Sequence, residues 1–120
     1  MVVRSYRELI VWQKALDYVI LVYEATKQFP RAERYMLTDQ IRRAVVSVPS
    51  NIAEGQGRKS AKEFQRFLNI ARGPSQEVET QIMIAQRLHY LDKAEESKLL
   101  SHSTEIARLL NALSRSLTNN

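Results

Sequence analysis

Apolar residues recur at spacings of three and four through four long stretches of the chain, which is the period of an α-helix. The four predicted helices cover residues 7–28, 33–55, 60–89 and 93–117. Stop signals border them, such as Phe29-Pro30 after the first helix and Gly55 and Gly57 at the end of the second. The connections between them are short, so successive helices are expected to run antiparallel. The pattern predicts an all-α fold, a single up-down-up-down four-helix-bundle domain.

The first predicted helix is apolar on almost every side. One row consists of Leu9, Trp12, Leu16, Val19 and Tyr23, and a second consists of Val11, Ala15, Tyr18 and Val22. Ile10, Ile20 and Leu21 intrude on the side that should be polar. A helix that is apolar nearly all round requires burial on more than one side, and one bundle core covers only one. We therefore predict a homo-oligomer with Val11, Ala15, Tyr18 and Val22 in its interface. Scattered exposed apolar residues are the alternative interpretation.

Prolines interrupt the second and third predicted helices. Pro49 lacks the N–H that would bond the carbonyl of Val45, so a bend is expected there. At Gly73-Pro74 the third helix either kinks or gives way to a new helix that starts with Pro74. The apolar row keeps its phase between Ala71 and Val78, which favours one kinked helix.

The positive charge is concentrated in the middle of the chain. The net charge is +5, and residues 31–72 contain nine basic and four acidic residues, so the remainder is neutral. Lys62, Arg66 and Arg72 share one face of the third helix, and Arg58 and Lys59 lie just before it. Such a face offers contacts to the phosphates of nucleic acid with little reading of bases. The alternative is a solvated face that balances acidic faces of neighbouring chains.

Residues for catalysis are scarce. Cys is absent, which excludes thiol nucleophiles and disulfides. Neither His89 nor His102 follows a Glu by three residues, as a di-iron bundle would require. We predict no catalytic residue, no metal site and no cofactor. No apolar run approaches the ~20 residues of a membrane span, so a cytoplasmic protein without membrane contact is expected.

Four segments resemble a bacterial four-helix-bundle family whose founding members are encoded in intervening sequences of 23S ribosomal RNA genes. The segments are LIVWQKA at residues 9–15, QIRRAVVSVPSNIAEGQGR at 40–58, FLNIARGPSQEVETQ at 67–81 and LHYL at 88–91. The chain departs from the family at two places. The family often has Gly-Ser at the position of Gly73-Pro74, and Gly at the position of His89.

The resemblance implies an antiparallel four-helix bundle that assembles into a barrel-like homopentamer. A related branch, the accessory variability determinant of diversity-generating retroelements, binds nucleic acid and a reverse transcriptase through a basic surface. The family motif positions in this chain are Arg42, Arg43, Asn51, Glu54 and Arg58. For these positions, ligand binding and a structural role both stay open. For Asn51 and Glu54 we favour a structural role, in which the two side chains pair with each other.

Together these observations predict a non-enzymatic, homo-oligomeric protein that binds RNA or DNA through a basic surface with weak sequence preference. The predicted nucleic-acid-binding residues are Arg42, Arg43, Arg58, Lys59, Lys62, Arg66 and Arg72. The alternative is an oligomeric scaffold that recruits a protein partner, such as a reverse transcriptase, without affinity for nucleic acid.

Overall fold

The computed structural model describes residues 5–118, which form four α-helices. The helices are α1 (Ile10–Thr26), α2 (Leu37–Gln56), α3 (Ala61–Arg87) and α4 (Lys93–Thr118). Short 3-10 turns at Tyr6–Glu8 and Arg31–Glu33 precede α1 and α2, so these two helices begin three to four residues later than predicted. The prediction of an all-α fold is confirmed.

Successive helices run antiparallel. At one end of the bundle the Gln65 amide at the start of α3 donates to the carbonyl of Ser114 near the end of α4 (2.9 Å). At the opposite end, the Tyr90 hydroxyl after α3 donates to the Glu33 carboxylate before α2 (2.8 Å). The bundle is a rod with extents of 47 × 24 × 19 Å.

The core is built on a different face of α1 from the one we predicted. Val11, Ala15, Tyr18 and Val22 are at most 3% exposed within the single chain, so they are not available to a second copy, and their assignment to an oligomer interface is wrong. The other row is only partly covered: Leu9 is buried, Trp12 and Val19 pack against the edge of the core, and Leu16 is 38% exposed. Both rows have the helical period, so only the position of the other helices decides which one becomes the core.

Both interrupted helices continue through their prolines. α2 contains Pro49 and α3 contains Pro74, which answers the question of a break at Gly73-Pro74 in favour of one helix. Next to Pro49, the Ser50 hydroxyl donates to the carbonyl of Val46 (2.9 Å) and the Asn51 amide donates to the carbonyl of Ser47 (2.8 Å). Serine and asparagine side chains thus hydrogen-bond the backbone beside the proline.

The loop after α3 explains one departure from the family pattern. His89 has a φ of 66°, in the left-handed region that glycine occupies at lowest cost. The N–H of Tyr90 bonds the carbonyl of Ala85 (2.8 Å), as in a Schellman helix end. Histidine is among the residues that enter this region more often than others, so His89 keeps the helix end that a glycine would form.

One polar group interrupts the apolar row of α4. Ser103 is fully buried, and its hydroxyl donates to the half-buried Glu79 carboxylate on α3. The hydroxyl of Tyr18 on α1 is buried beside this pair and has no partner of hydrogen-bonding geometry among the described residues. Burial raises the pKa of Tyr18 far above its ordinary value, and the nearby Glu79 carboxylate adds to the rise. The tyrosine therefore stays neutral in the folded protein.

Candidate nucleic-acid interface

Four of the predicted basic residues meet at one end of the bundle, where α2 passes into α3. We call Arg58, Lys59, Lys62 and Arg66 the α2–α3 basic cluster; all four are exposed. Lys59 has a φ of 62°, which turns the chain sharply between the two helices. Ser60 then caps α3 through the N–H of Glu63 (3.3 Å), as the Ser-x-x-Glu pattern indicates. This turn brings residues of the loop and the first turns of α3 onto one surface.

An aromatic ring lies beneath two of these cations. The guanidinium carbon of Arg58 is 5.0 Å, and that of Arg66 4.7 Å, from the centroid of the Phe67 ring. Phe67 itself is buried against α2, where Gly55 leaves room for it. The ring face attracts guanidinium groups by its negative electrostatic potential. The cluster is therefore built on the contact between α2 and α3.

Carboxylates one turn away pair with the same two arginines. Arg58 bonds Glu54 (2.9 Å) and Arg66 bonds Glu63 through two nitrogens (2.8 and 3.2 Å). The Arg66 guanidinium lowers the pKa of the Glu63 carboxyl, and Glu63 in turn raises the pKa of Arg66. Four cations thus face two carboxylates, which leaves an excess of positive charge.

The predicted pairing of Asn51 with Glu54 does not occur. The Asn51 amide bonds the Ser47 backbone, whereas Glu54 is exposed and bonds Arg58. Asn51 therefore has the structural role that we favoured, with a different partner. Glu54 belongs to the edge of the basic cluster, because an exposed carboxylate at the end of a helix pairs with the nearest cation.

The remaining three predicted residues lie away from this cluster. Arg42 points toward α1, where its Nε donates to the hydroxyl of Thr26 (2.9 Å) and its guanidinium lies 4.7 Å from the ring centroid of Tyr23. Arg42 precedes Gln56, the last residue of α2, by fourteen residues, about 21 Å at the helical rise, and Arg58 lies beyond that end. Arg42 therefore ties α1 to α2 at a distance from the α2–α3 basic cluster, and its assignment as a nucleic-acid-binding residue stays a prediction.

Arg43 and Arg72 are exposed but occupy other grooves. Arg43 pairs with Asp39 (3.1 Å) and borders the groove between α2 and α3 near Pro74. Arg72 borders the groove between α3 and α4 together with Glu79. Residues on one helix that differ by six positions point to different sides, so Arg66 and Arg72 do not share a surface.

Two further cations lie at the same end of the bundle and were not predicted from the sequence. Tyr6 lines a groove with Ala53 near the end of α2, which places Arg7 at the end that carries the cluster. Arg115 lies in the last turn of α4, next to the segment that Gln65 contacts. Both side chains are exposed. They are far from the cluster in sequence, so only the antiparallel packing indicates that they contribute to the same positive end.

The opposite end of the bundle does not share this excess. At this opposite end, the described residues of the connections and terminal helical turns include five basic and six acidic side chains. At the cluster end, the corresponding segments include five basic and three acidic side chains, not counting Arg66. The six acidic residues are Glu24, Glu33, Asp39, Asp92, Glu95 and Glu96. The described part of the chain is therefore polarised along the rod.

The described residues offer little to other kinds of ligand. No group of three or more metal-binding side chains occurs within residues 5–118. His102 stacks on Tyr18, with ring centroids 6.4 Å apart. In the same range, none of the helices combines the length and hydropathy that a membrane crossing requires. The arrangement at the α2–α3 end is suited to binding phosphate groups.

Comparison with known proteins places the fold in a family. The chain is similar to the crystal structure of a protein of unknown function from the S23 ribosomal protein family of Bacteroides thetaiotaomicron, with a TM-score of 0.78 and 25% sequence identity over 88% of this chain and 98% of that one. No curated protein is similar enough to count as a match. The model of the 23S rRNA-intervening sequence proteins matches residues 7–112, which include all of α1, α2 and α3 and most of α4. The chain therefore belongs to the family of 23S rRNA-intervening sequence proteins.

Proposed function

We propose that this protein is a non-enzymatic, cytoplasmic homo-oligomer that binds RNA or DNA through the α2–α3 basic cluster. The observation that carries the proposal is the meeting of Arg58, Lys59, Lys62 and Arg66 on one exposed surface, with two of them placed over Phe67. Clustered exposed cations are the electrostatic footprint of a phosphate-binding surface. The absence of Cys is in keeping with a reducing compartment.

Weak sequence preference follows from the residue types in the cluster. Arginine and lysine bind phosphate oxygens that are the same at every base, so these contacts position a nucleic acid without reading it. The helix of the cluster presents Glu63 beside its cations, and this carboxylate repels phosphates at its own position. Binding by a few contacts of this kind is moderate in affinity and strongly dependent on salt.

Salt titration of the wild-type protein tests the function. Four phosphate contacts predict that the logarithm of the binding constant falls linearly with the logarithm of salt concentration, with a slope of about −3 to −4. Fluorescence anisotropy with a labelled RNA hairpin and a duplex DNA of the same length measures it. If neither probe binds at about 50 mM salt, the proposed function is wrong.

Self-association is proposed on a different surface from the one that the sequence suggested. Ile20 on α1 is 62% exposed and Leu16 38%, and Val46 on α2 is 40% exposed. Leu16 and Val46 line an apolar groove between α1 and α2 together with Trp12 and Pro49, and Ile20 follows Leu16 by one helical turn on α1. A contiguous apolar groove on the surface marks an interaction site. We assign this groove to the homo-oligomer, and the family resemblance favours a pentamer.

Replacing Ile20 by glutamate should dissociate the oligomer. A carboxylate covered by the apolar surface of a neighbouring chain loses its hydration without gaining a partner, so light scattering should show the mass of a single chain for Ile20→Glu. Ile10→Glu is the matched control, because Ile10 is 63% exposed on another side of α1. The groove is the wrong interface if Ile20→Glu keeps the wild-type mass, and a wild-type monomer would end the proposal of self-association.

Recruitment of a protein partner is the second candidate function. Tyr35 is 80% and Met36 62% exposed, and the guanidinium of Arg34 lies 5.2 Å from the Tyr35 ring centroid. Tyr, Met and Arg are enriched in protein interfaces, and these residues lie at the opposite end from the basic cluster. A reverse transcriptase is the partner that the family resemblance suggests. A complex that forms at high salt without nucleic acid would favour this candidate.

A further inference from the structure

Two arginines from different elements share one aromatic support. Arg58 belongs to the loop after α2 and Arg66 to α3, yet both guanidinium groups lie within 5.0 Å of the Phe67 ring centroid. Their side chains remain 48% and 54% exposed. The ring is 6% exposed, so it holds the two cations from below while their outer edges face solvent.

Packing fixes the ring that supports them. A Cβ atom at Gly55 would lie 2.4 Å from the Cβ of Phe67, so the Phe67 side chain packs directly on the backbone of α2 at this residue. A ring held in this way has one orientation, because closely packed side chains have few alternative rotamers. Phe67 therefore supplies a fixed platform under two side chains that are otherwise long and flexible.

The ion pairs show that the guanidinium groups keep donors for a further ligand. Arg58 donates one hydrogen bond to Glu54, and Arg66 donates two to Glu63. Each guanidinium has five N–H donors, so neither is saturated. Arginine forks bind phosphate with the geometry that they use for carboxylate, so the N–H groups that Glu54 and Glu63 leave free can bind phosphate oxygens.

We propose that Phe67 is a positioning residue that presents Arg58 and Arg66 as a preorganised pair to phosphates of one nucleic-acid strand. This assignment rests on the proposed function. Without the ring, each arginine would have to be ordered at the moment of binding, and ordering a long side chain weakens binding. The ring thus contributes affinity without touching the nucleic acid.

Leucine substitutions at two phenylalanines separate positioning from packing. Phe64 is 8% exposed, lies on the same helix and also borders Gly55, and no arginine is placed over it among the described contacts. Phe67→Leu should bind the labelled RNA hairpin about fivefold more weakly than Phe64→Leu, since only the former loses two cation–π contacts. Thermal unfolding of both variants shows that each is folded at the temperature of the binding measurement.

A second readout does not depend on binding. In the free wild-type protein, ring currents of Phe67 should shift the side-chain proton NMR signals of Arg58 and Arg66. Phe67→Leu should remove these shifts, and Phe64→Leu should keep them.

The outcomes separate the two proposals. If the wild type binds RNA and the two leucine variants bind equally, the assignment of Phe67 is wrong and the proposed function stands. If the wild type binds neither RNA nor DNA, both proposals fall. If the wild-type protein lacks these NMR shifts, the Phe67 ring does not lie under the two arginines in solution, and the assignment is wrong.

Discussion

Charge reversal at both Lys62 and Arg66 is expected to weaken nucleic-acid binding about 100-fold at low salt. Both side chains are exposed on adjacent turns of α3, and the double variant Lys62→Glu/Arg66→Glu turns two phosphate contacts into repulsions. The slope of the logarithm of affinity against the logarithm of salt concentration should become shallower by about 2. Anisotropy titrations at several salt concentrations measure both quantities, and RNA and DNA probes should be affected alike.

The double variant Lys93→Glu/Lys98→Glu is the matched control. It changes the net charge by the same amount, and both lysines are exposed at the opposite end of the bundle. Binding close to that of the wild type is expected, because the ends of the 47 Å rod lie much further apart than the Debye length, which is about 10 Å at 0.1 M salt. Equal losses in the two double variants would mean that total charge, rather than the α2–α3 basic cluster, determines binding.

Gly55→Ala is expected to lower the free energy of unfolding by about 1 kcal/mol net. The added Cβ would lie 2.4 Å from the Cβ of Phe67, an atom close to the backbone of α3 that cannot rotate away. Overpacking of this kind costs about 1–3 kcal/mol, and alanine returns about 0.5–1 kcal/mol of helix propensity. Urea unfolding followed by circular dichroism measures the difference.

Gly57→Ala provides the comparison for this glycine. Gly57 has a φ of −72°, and an added Cβ would meet carbonyl oxygens at ordinary contact distances of 3.6 and 3.7 Å. Its stability should stay within about 0.5 kcal/mol of the wild type. A Gly55→Ala variant as stable as Gly57→Ala would show that α2 and α3 separate at little cost, and the platform under Arg58 and Arg66 would then also be less rigid than proposed.

The helices were predictable because their signals are local. Period, caps and stop residues act over a few positions, and the predicted starts of α3 and α4 differ from the observed ones by at most one residue. The same reasoning missed the 3-10 turns before α1 and α2. These turns form where Ser5 and Pro30 fix the backbone ahead of the helix, and apolar spacing alone does not distinguish such a turn from the first turn of an α-helix.

The candidate site was predictable only in part. Arg58, Lys59, Lys62 and Arg66 are neighbours along the chain, so one capped turn is enough to gather them. Arg42 belongs to the same charged segment, but α2 rotates it toward Thr26 and Tyr23 at the end of α1. No local sequence pattern indicates that Arg42 contacts α1, because this contact depends on how the two helices pack.

The sequence by itself determined the family, the four helices and the excess of charge in the middle of the chain, since each of these depends on residue type and spacing. Tertiary structure decided which row of α1 is buried, and thereby turned Tyr18 inward and Ile20 outward. It also decided that Phe67 lies under Arg58 and Arg66. The physical reason is the same in each case: burial is a property of pairs of surfaces, and the second surface comes from residues distant in sequence.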